Sequence, residues 1–523
     1  MRRSISTFAL LFTSVSAILG SGWLFVSYYT STLAGPAALL SWLFGGLAMI
    51  FIAFIFAELC TMLPITGSST RIPQYTHGTI VSFLFSWVIW LSYASLVPTE
   101  VQAVIQYLSF FYPALTLADS SLSHLGYLVA SLLMLIISAI NIFSLRWLLR
   151  CNNVLTVMKI IIPTSIAIII LHQRFDWSHI FHPAHSPFAP HGLRGVFEAI
   201  ATGGIVFAFN GFKQACEMAG EAKNPKRTLP IAILGSIIVC LTVYILLQMA
   251  FYSSLTGANY HGSWADLTLP GSQSPMAAIL SQDHLTELMP FLYIGAITGP
   301  LAAGLIYASS ASRSIYGMSK NHHIPQLFQQ LSQQGNPIYG ILLNFFLGMF
   351  MFAPLPGWDQ MVKFLTSLMS ITYAIGPVCL LSLRYQTPEL ERPFRLPAAK
   401  IWSAFAFYIC TLLIYWSGWQ IISKLGIALI IGLCVLFIHR HLIKNEHEAP
   451  LNLKASIWVW PYFSGIMLIS YLGNFGHGHG ILPFGTDFII IGIFCVLILY
   501  LAIRYRLPNT ETMSYIKKLE LPE

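Results

Sequence analysis

Fourteen times along its 523 residues the chain runs apolar for about 20 residues, the length of helix that crosses a lipid bilayer. The windows are 5–33, 37–62, 80–110, 124–145, 153–172, 196–218, 229–254, 289–317, 338–354, 361–384, 402–420, 425–439, 457–473 and 486–503, the twelfth short enough to be a tilted or partial crossing. Only 9% of residues are charged and the mean hydropathy is +0.71, so no water-soluble surface can be assembled from this sequence. The expected fold class is an all-α membrane protein with about fourteen transmembrane helices. Arg2 and Arg3 ahead of the first window resemble a signal peptide, but no small-residue cleavage site ends the window, so it reads as a retained span. The eight cysteines fall in or beside apolar segments with no His at ligand spacing, which argues against a disulfide framework or a metal site.

With the N-terminus in the cytoplasm, 21 Lys and Arg fall in inner segments and four (Arg174, Arg194, Lys363 and Lys424) in outer ones. That asymmetry is the positive-inside pattern and puts both termini inside. It also accounts for the formal charge of +8 without nucleic acid: the basic residues are topology signals in short clusters rather than a stripe along one face. The two left over, Lys159 and Lys213, lie within or beside the fifth and sixth spans. The outer loop from Arg174 to Arg194 carries His179, His182, His185 and His191, which read as a solvated loop because no carboxylate or cysteine completes a metal site.

Two spans are interrupted, by Gly20-Ser21-Gly22 in the first and by Asn210-Gly211 in the sixth. Backbone groups cannot be left bare in hydrocarbon, so such breaks survive only where protein or a cavity supplies partners. One break in each half of a long membrane chain points to a transporter's substrate site.

Several strings are similar to those of the amino acid-polyamine-organocation superfamily of permeases. They are Gly20-Ser21-Gly22-Trp23; Phe56-Ala57-Glu58-Leu59 with Leu63-Pro64-Ile65-Thr66-Gly67; Phe209-Asn210-Gly211-Phe212 with Gly220-Glu221-Ala222-Lys223-Asn224-Pro225-Lys226-Arg227; and Ser312-Arg313-Ser314-Ile315-Tyr316. Within the superfamily, the fourteen spans and the stretches Tyr415-Trp416-Ser417-Gly418-Trp419 and Phe475-Gly476-His477-Gly478 resemble bacterial aspartate-proton symporters. The resemblance implies a leucine-transporter-type core of two inverted five-helix repeats, about 1–175 and 190–390 within a ten-helix unit spanning 1–400. Four C-terminal spans and a short cytoplasmic tail would occupy 401–523. It further implies a bacterial inner-membrane location, an amino acid and protons as what the protein handles, and no cofactor.

An amino acid needs donors for its carboxylate and acceptors for its ammonium. The amides after the first break, at Gly20, Ser21 and Gly22, suit the carboxylate, and Phe207, Phe209, Asn210 and Gly211 are expected to form the facing wall with unwound carbonyls for the ammonium. Trp23, where Ile or Val is common in the family, is expected to narrow the pocket. Lys159 stands in an otherwise apolar run, where an ionised side chain costs about 2.5–3.5 kcal/mol. In proton-coupled relatives a lysine at the matching place fills the room a sodium ion takes elsewhere, which implies proton coupling; snorkelling to the interface is the alternative. Glu100, two residues after Pro98, is expected to carry a proton, contact the substrate ammonium, or pair with Lys213. Lys213 replaces a common acidic residue; it either attracts an acidic substrate side chain or pairs with Glu217 one turn on. Glu58 and Arg71 near the inner ends of their spans, and Arg313, are expected either to build the cytoplasmic gate or loop packing or, the favoured reading, to act as interfacial anchors, and in neither case to contact substrate.

Secondary active import with protons is the function this implies. An exchanger of amino acids has the same breaks, and a membrane-embedded enzyme would need an acid or His/Asp cluster at one face that the His-rich loop lacks.

Overall fold

The computed structural model describes residues 5–143, 145–175, 187–256, 259, 263–269, 274–333, 335–442 and 450–520. Arg2, Arg3, His179, His182, His185 and Lys444 lie outside the described residues. Among those described there is no strand, only isolated bridges between extended residues.

The first window is two helices, α1 (Thr7–Ile18) and α2 (Gly22–Ala34), and the second is α3 (Ala38–Met62). The apolar helical stretch Gly22–Met62 is 41 residues long, roughly 60 Å at about 1.5 Å per residue and twice a hydrocarbon core. It is therefore two crossings joined by the tight turn Gly35–Ala37, where Gly35 takes a φ of +56° that a side chain would resist. After a short helix α4 (Ser68–His77) come α5 (Thr79–Leu108), α6 (His124–Phe143) and α7 (Leu145–Arg174).

The sixth window is broken into α8 (Gly192–Ala201), α9 (Ile205–Ala208) and α10 (Lys213–Glu217), with a 40° bend at Phe209. Next are α11 (Pro225–Ser254), the loop helix α12 (Pro275–Gln282), α13 (Met289–Lys320), α14 (Ile338–Met351) and α15 (Gly357–Gln386). The C-terminal part holds α16 (Ala399–Trp416), α17 (Trp419–Leu442), α18 (Val459–Leu472), α19 (Thr486–Arg504) and α20 (Asn509–Glu520). Among the described residues eleven helical stretches, with Gly22–Met62 counted once, are long and apolar enough to cross a membrane, twelve with the bent pair counted as one span. The twelfth window, expected to be short, is the 24-residue α17, because the helix absorbs Gln420, Ser423 and Lys424 at its start and His439-Arg440-His441 at its end.

Burial sorts the helices into layers. The apolar stretches of α5 and α15 are almost wholly enclosed by protein, whereas α6, α17 and α19 keep most of theirs exposed. Leu128, Leu132, Ile427, Ile430, Ile493 and Val496 stand on those outer faces, as a lipid-facing layer requires. The C-terminal helices are secured to the centre, α16 against α3 and α15, and α17 against α5. Two of the strings singled out in the sequence meet here: the Trp419 amide donates to the Phe475 carbonyl at 3.2 Å and that of Gln420 to the Gly476 carbonyl at 3.0 Å. Gly418 and Gly476 lie so close that a methyl on Gly418 would stand 2.5 Å from the Gly476 Cα.

Candidate functional site

A helix that stops in the middle of a membrane protein leaves carbonyls at its C-terminal end and amides at the N-terminal end of the next piece. The break between α1 and α2 shows where each goes. The Ser16 carbonyl accepts from Lys159 Nζ on α7 at 2.7 Å, that of Ala17 from the Tyr307 hydroxyl on α13 at 3.2 Å, and that of Ile18 from the Tyr244 hydroxyl on α11 at 3.0 Å. On the other side the Ser21 amide donates to Glu100 Oε2 on α5 at 2.8 Å. A cation thus meets the negative end of one half-helix and an anion the positive end of the other.

The second break packs directly on the first. Gly211 touches the backbone of Ala17 and Ile18, Gly22 sits against Ala208, and the Tyr244 hydroxyl lies 3.2 Å from the Ala208 carbonyl as well as against Ile18. Asn210 donates from Nδ2 to the Tyr307 oxygen at 3.2 Å and accepts from the Tyr373 hydroxyl at 3.0 Å, which ties the unwound segment to α13 and α15. The unwinding begins earlier than Asn210-Gly211: Thr202-Gly203-Gly204 already interrupts the helix, with Gly204 at φ +99° and Val26 of α2 3.1 Å from where a Cβ would stand.

On the side of the breaks away from the start of α1, aromatic rings cover the site. Trp358 at the start of α15 donates from Nε1 to Ser21 Oγ at 2.8 Å, stacks on Phe25 at 4.6 Å and on Tyr29 at 5.6 Å, and meets Phe207 edge to face at 5.5 Å. On the opposite side Glu58, fully buried at the end of α3, accepts from Arg384 Nε and an Nη at 2.8 and 2.7 Å and from the Leu396 amide at 2.7 Å. Glu58 is therefore part of an enclosed ion pair joining α3 to α15, not an interfacial anchor. Arg313 is exposed, as an anchor would be.

Gly20, Ser21, Gly22, Phe207, Asn210 and Gly211 all gather where the breaks meet. Two of the expected wall residues turn elsewhere. Trp23 lies in a notch at Gly295 and Gly299 of α13, and Phe209 packs edge-on to Trp42 and Tyr244. Lys159 is 3% exposed and held by the Ser16 carbonyl, so it does not snorkel to an interface. Glu100 sits at Ser21, separate from Lys213. Lys213 is buried beside the Phe56 and Tyr373 rings at 5.4 and 5.5 Å, with the Thr372 carbonyl at 3.5 Å. It makes no ion pair with Glu217, which instead accepts from the Tyr93 hydroxyl at 3.2 Å.

Sequence reasoning passed over Tyr244, Tyr307, Tyr373 and Trp358, whose polar tips close the breaks. A lone Tyr or Trp inside an apolar span is a usable signal, since a buried hydroxyl or indole N–H seeks a partner. Gln248 of α11 was missed for the same reason: its amide accepts from Thr30 and Trp42 and donates to Ser31, fastening α2 to α3.

Two broken membrane helices meeting at their interruptions, with charged side chains on the freed backbone, define a multi-pass transporter. The chain belongs to the amino acid permease family, whose sequence model matches residues 5–438. It is 32% identical over 509 residues to the glutamate/serine transporter AimA of Bacillus subtilis, covering 94% of this chain and 92% of that one. It is 31% identical over 514 residues to the aspartate-proton symporter of the same organism, covering 97% of each. The branched-chain amino acid permease BcaP of Bacillus subtilis is more distant, at 25% over 454 residues, 84% of this chain and 93% of the relative. These are permeases, and the chain is a transporter rather than an enzyme.

Proposed function

We propose that the chain imports an acidic amino acid together with protons by alternating access. It would do so in a bacterial plasma membrane, with both termini in the cytoplasm. The observation that carries this reading is the meeting of the breaks around Ser21 and Asn210, which places amides and carbonyls of opposite helix ends beside one another. The α-carboxylate goes to the amides of Ser21 and Gly22, and the ammonium to carbonyls around Phe207 and Ala208. Lys213 supports the choice of an acidic side chain: it is a buried ammonium that donates to the Thr372 carbonyl at 3.5 Å, and a substrate carboxylate would give it a counter-ion. The names of two relatives fit that choice in part, since they speak of glutamate and aspartate, although one also names serine.

Proton coupling is assigned to Lys159 and Glu100, which hold the two ends of the same break and lie within each other's field. The repeats about 1–175 and 190–390 would make α1–α2 and α8–α10 equivalent broken spans in a core ending near 400, with residues 401–523 outside it. Membrane lipid is the only other partner this reading needs.

Purified protein in proteoliposomes tests this directly. Aspartate should accumulate in empty vesicles when an inward proton gradient is imposed, and Lys159→Ala should abolish the dependence on external pH. An obligate exchanger would take up aspartate only into vesicles preloaded with amino acid.

A further inference from the structure

The Ser21 amide, the donor best placed for a substrate carboxylate, already has one. Glu100 Oε2 accepts from it at 2.8 Å, and the carboxylate lies against Gly20, where an added Cβ would overlap Oε1 and stand 3.1 Å from Oε2. An amide proton at a helix start serves one carboxylate well, so two cannot occupy this position together. We infer that Glu100 is a tethered competitor for the substrate's α-carboxylate: it caps the start of α2 while the site is empty, and the amino acid enters by displacing it. The inference rests on the amino-acid reading above and adds a role for this residue within it.

The surroundings allow the exchange. Glu100 is two residues beyond Pro98, which lacks an N–H and so breaks the hydrogen-bond ladder of α5 beside it. The charged and titratable groups facing Glu100 are Lys159 from α7, Tyr244 from α11 and Tyr307 from α13. Once displaced, a bare carboxylate would leave the pocket with two anions where it had one. A proton bound by Glu100 from the outside solution, entering with the amino acid, cancels the difference. One carboxylate is thus replaced by another at α2, with one proton bound for each amino acid.

The competing roles predict opposite signs. Full-length protein in lipid nanodiscs is titrated with aspartate at pH 6 and pH 8, as wild type, Glu100→Gln and Glu100→Asp. A competitor lost or shortened leaves the amide free: Glu100→Gln should bind aspartate at least tenfold more tightly at pH 8 and lose most of the difference between the two pH values. Glu100→Asp, a methylene too short to reach Ser21, should also tighten binding, which keeps the test available if the Gln variant fails to fold. Weaker binding by Glu100→Gln would make Glu100 a ligand of the substrate ammonium, and unchanged binding a plain helix cap; either overturns the inference while leaving amino acid transport standing. Absence of binding by wild type to aspartate, glutamate and serine alike would overturn the amino-acid reading and this inference with it.

Discussion

Gly211 rests on Ala17: a methyl added to Gly211 would stand 2.5 Å from the Ala17 carbonyl carbon and 2.8 Å from its Cβ. Contact that close is backbone on backbone, and no rotamer can relieve it. Gly211→Ala should push the two breaks apart, lower the apparent melting temperature by several degrees and abolish amino acid binding. Gly492→Ala, whose added methyl meets only Tyr408 at 3.8 Å, should leave both unchanged. Thermal unfolding followed by tryptophan fluorescence, with and without aspartate, separates the two.

Tyr244→Phe removes the hydroxyl that lies between the Ile18 and Ala208 carbonyls. A buried carbonyl left unpaired costs about 1–3 kcal/mol, and here the cost falls at the junction of the breaks. The variant should fold with reduced thermal stability, and its aspartate uptake into proteoliposomes should drop by tenfold or more. Uptake at the wild-type rate would show that the junction is held by other contacts.

The Glu58–Arg384 pair is enclosed, so its halves are unequal to their sum. Glu58→Met strands Arg384 together with Arg392, whose Nε lies 3.8 Å from the same carboxylate, and should destabilise by about 3–5 kcal/mol, with the double variant Glu58→Met with Arg384→Met recovering only part of the loss. Melting temperatures of the three proteins in one detergent check this. Because the pair ties α3 to α15, the double variant is also expected to shift labelling of cysteines introduced on the α1 side of the breaks.

Lys213→Met keeps the length and apolar stem of the side chain and deletes its charge. If Lys213 meets an acidic side chain, the variant should lose aspartate affinity by tenfold or more while serine affinity changes by less than threefold. Competition binding with labelled substrate reads the ratio. Equal losses for both amino acids would instead give Lys213 a packing role against Phe56 and Tyr373.

Apolar stretches and glycine strings made the helical architecture and the position of the first break legible, because hydrophobic length and missing side chains are properties of the chain itself. The second break was legible only in part. Asn210-Gly211 marks its end, whereas Thr202-Gly203-Gly204, equally interrupted, reads as ordinary small-residue packing until Gly204 is seen at positive φ against α2. Trp23 and Phe209 show the opposite limit: being adjacent to a break says nothing of which way a side chain turns, and both turn into neighbouring helices. The pairing of Glu58 could not be read, because its partner lies 326 residues away, on a helix whose register against α3 no local pattern encodes.

A structure of the full-length protein in lipid, determined with saturating aspartate, tests the central claim most directly. The account predicts density for one amino acid at the junction of the two breaks, with its α-carboxylate on the amides of Ser21 and Gly22, its side chain toward Lys213, and Glu100 turned away from Ser21. Aspartate bound elsewhere, with Glu100 still on Ser21 and Gly211 still closed on Ala17, would contradict it.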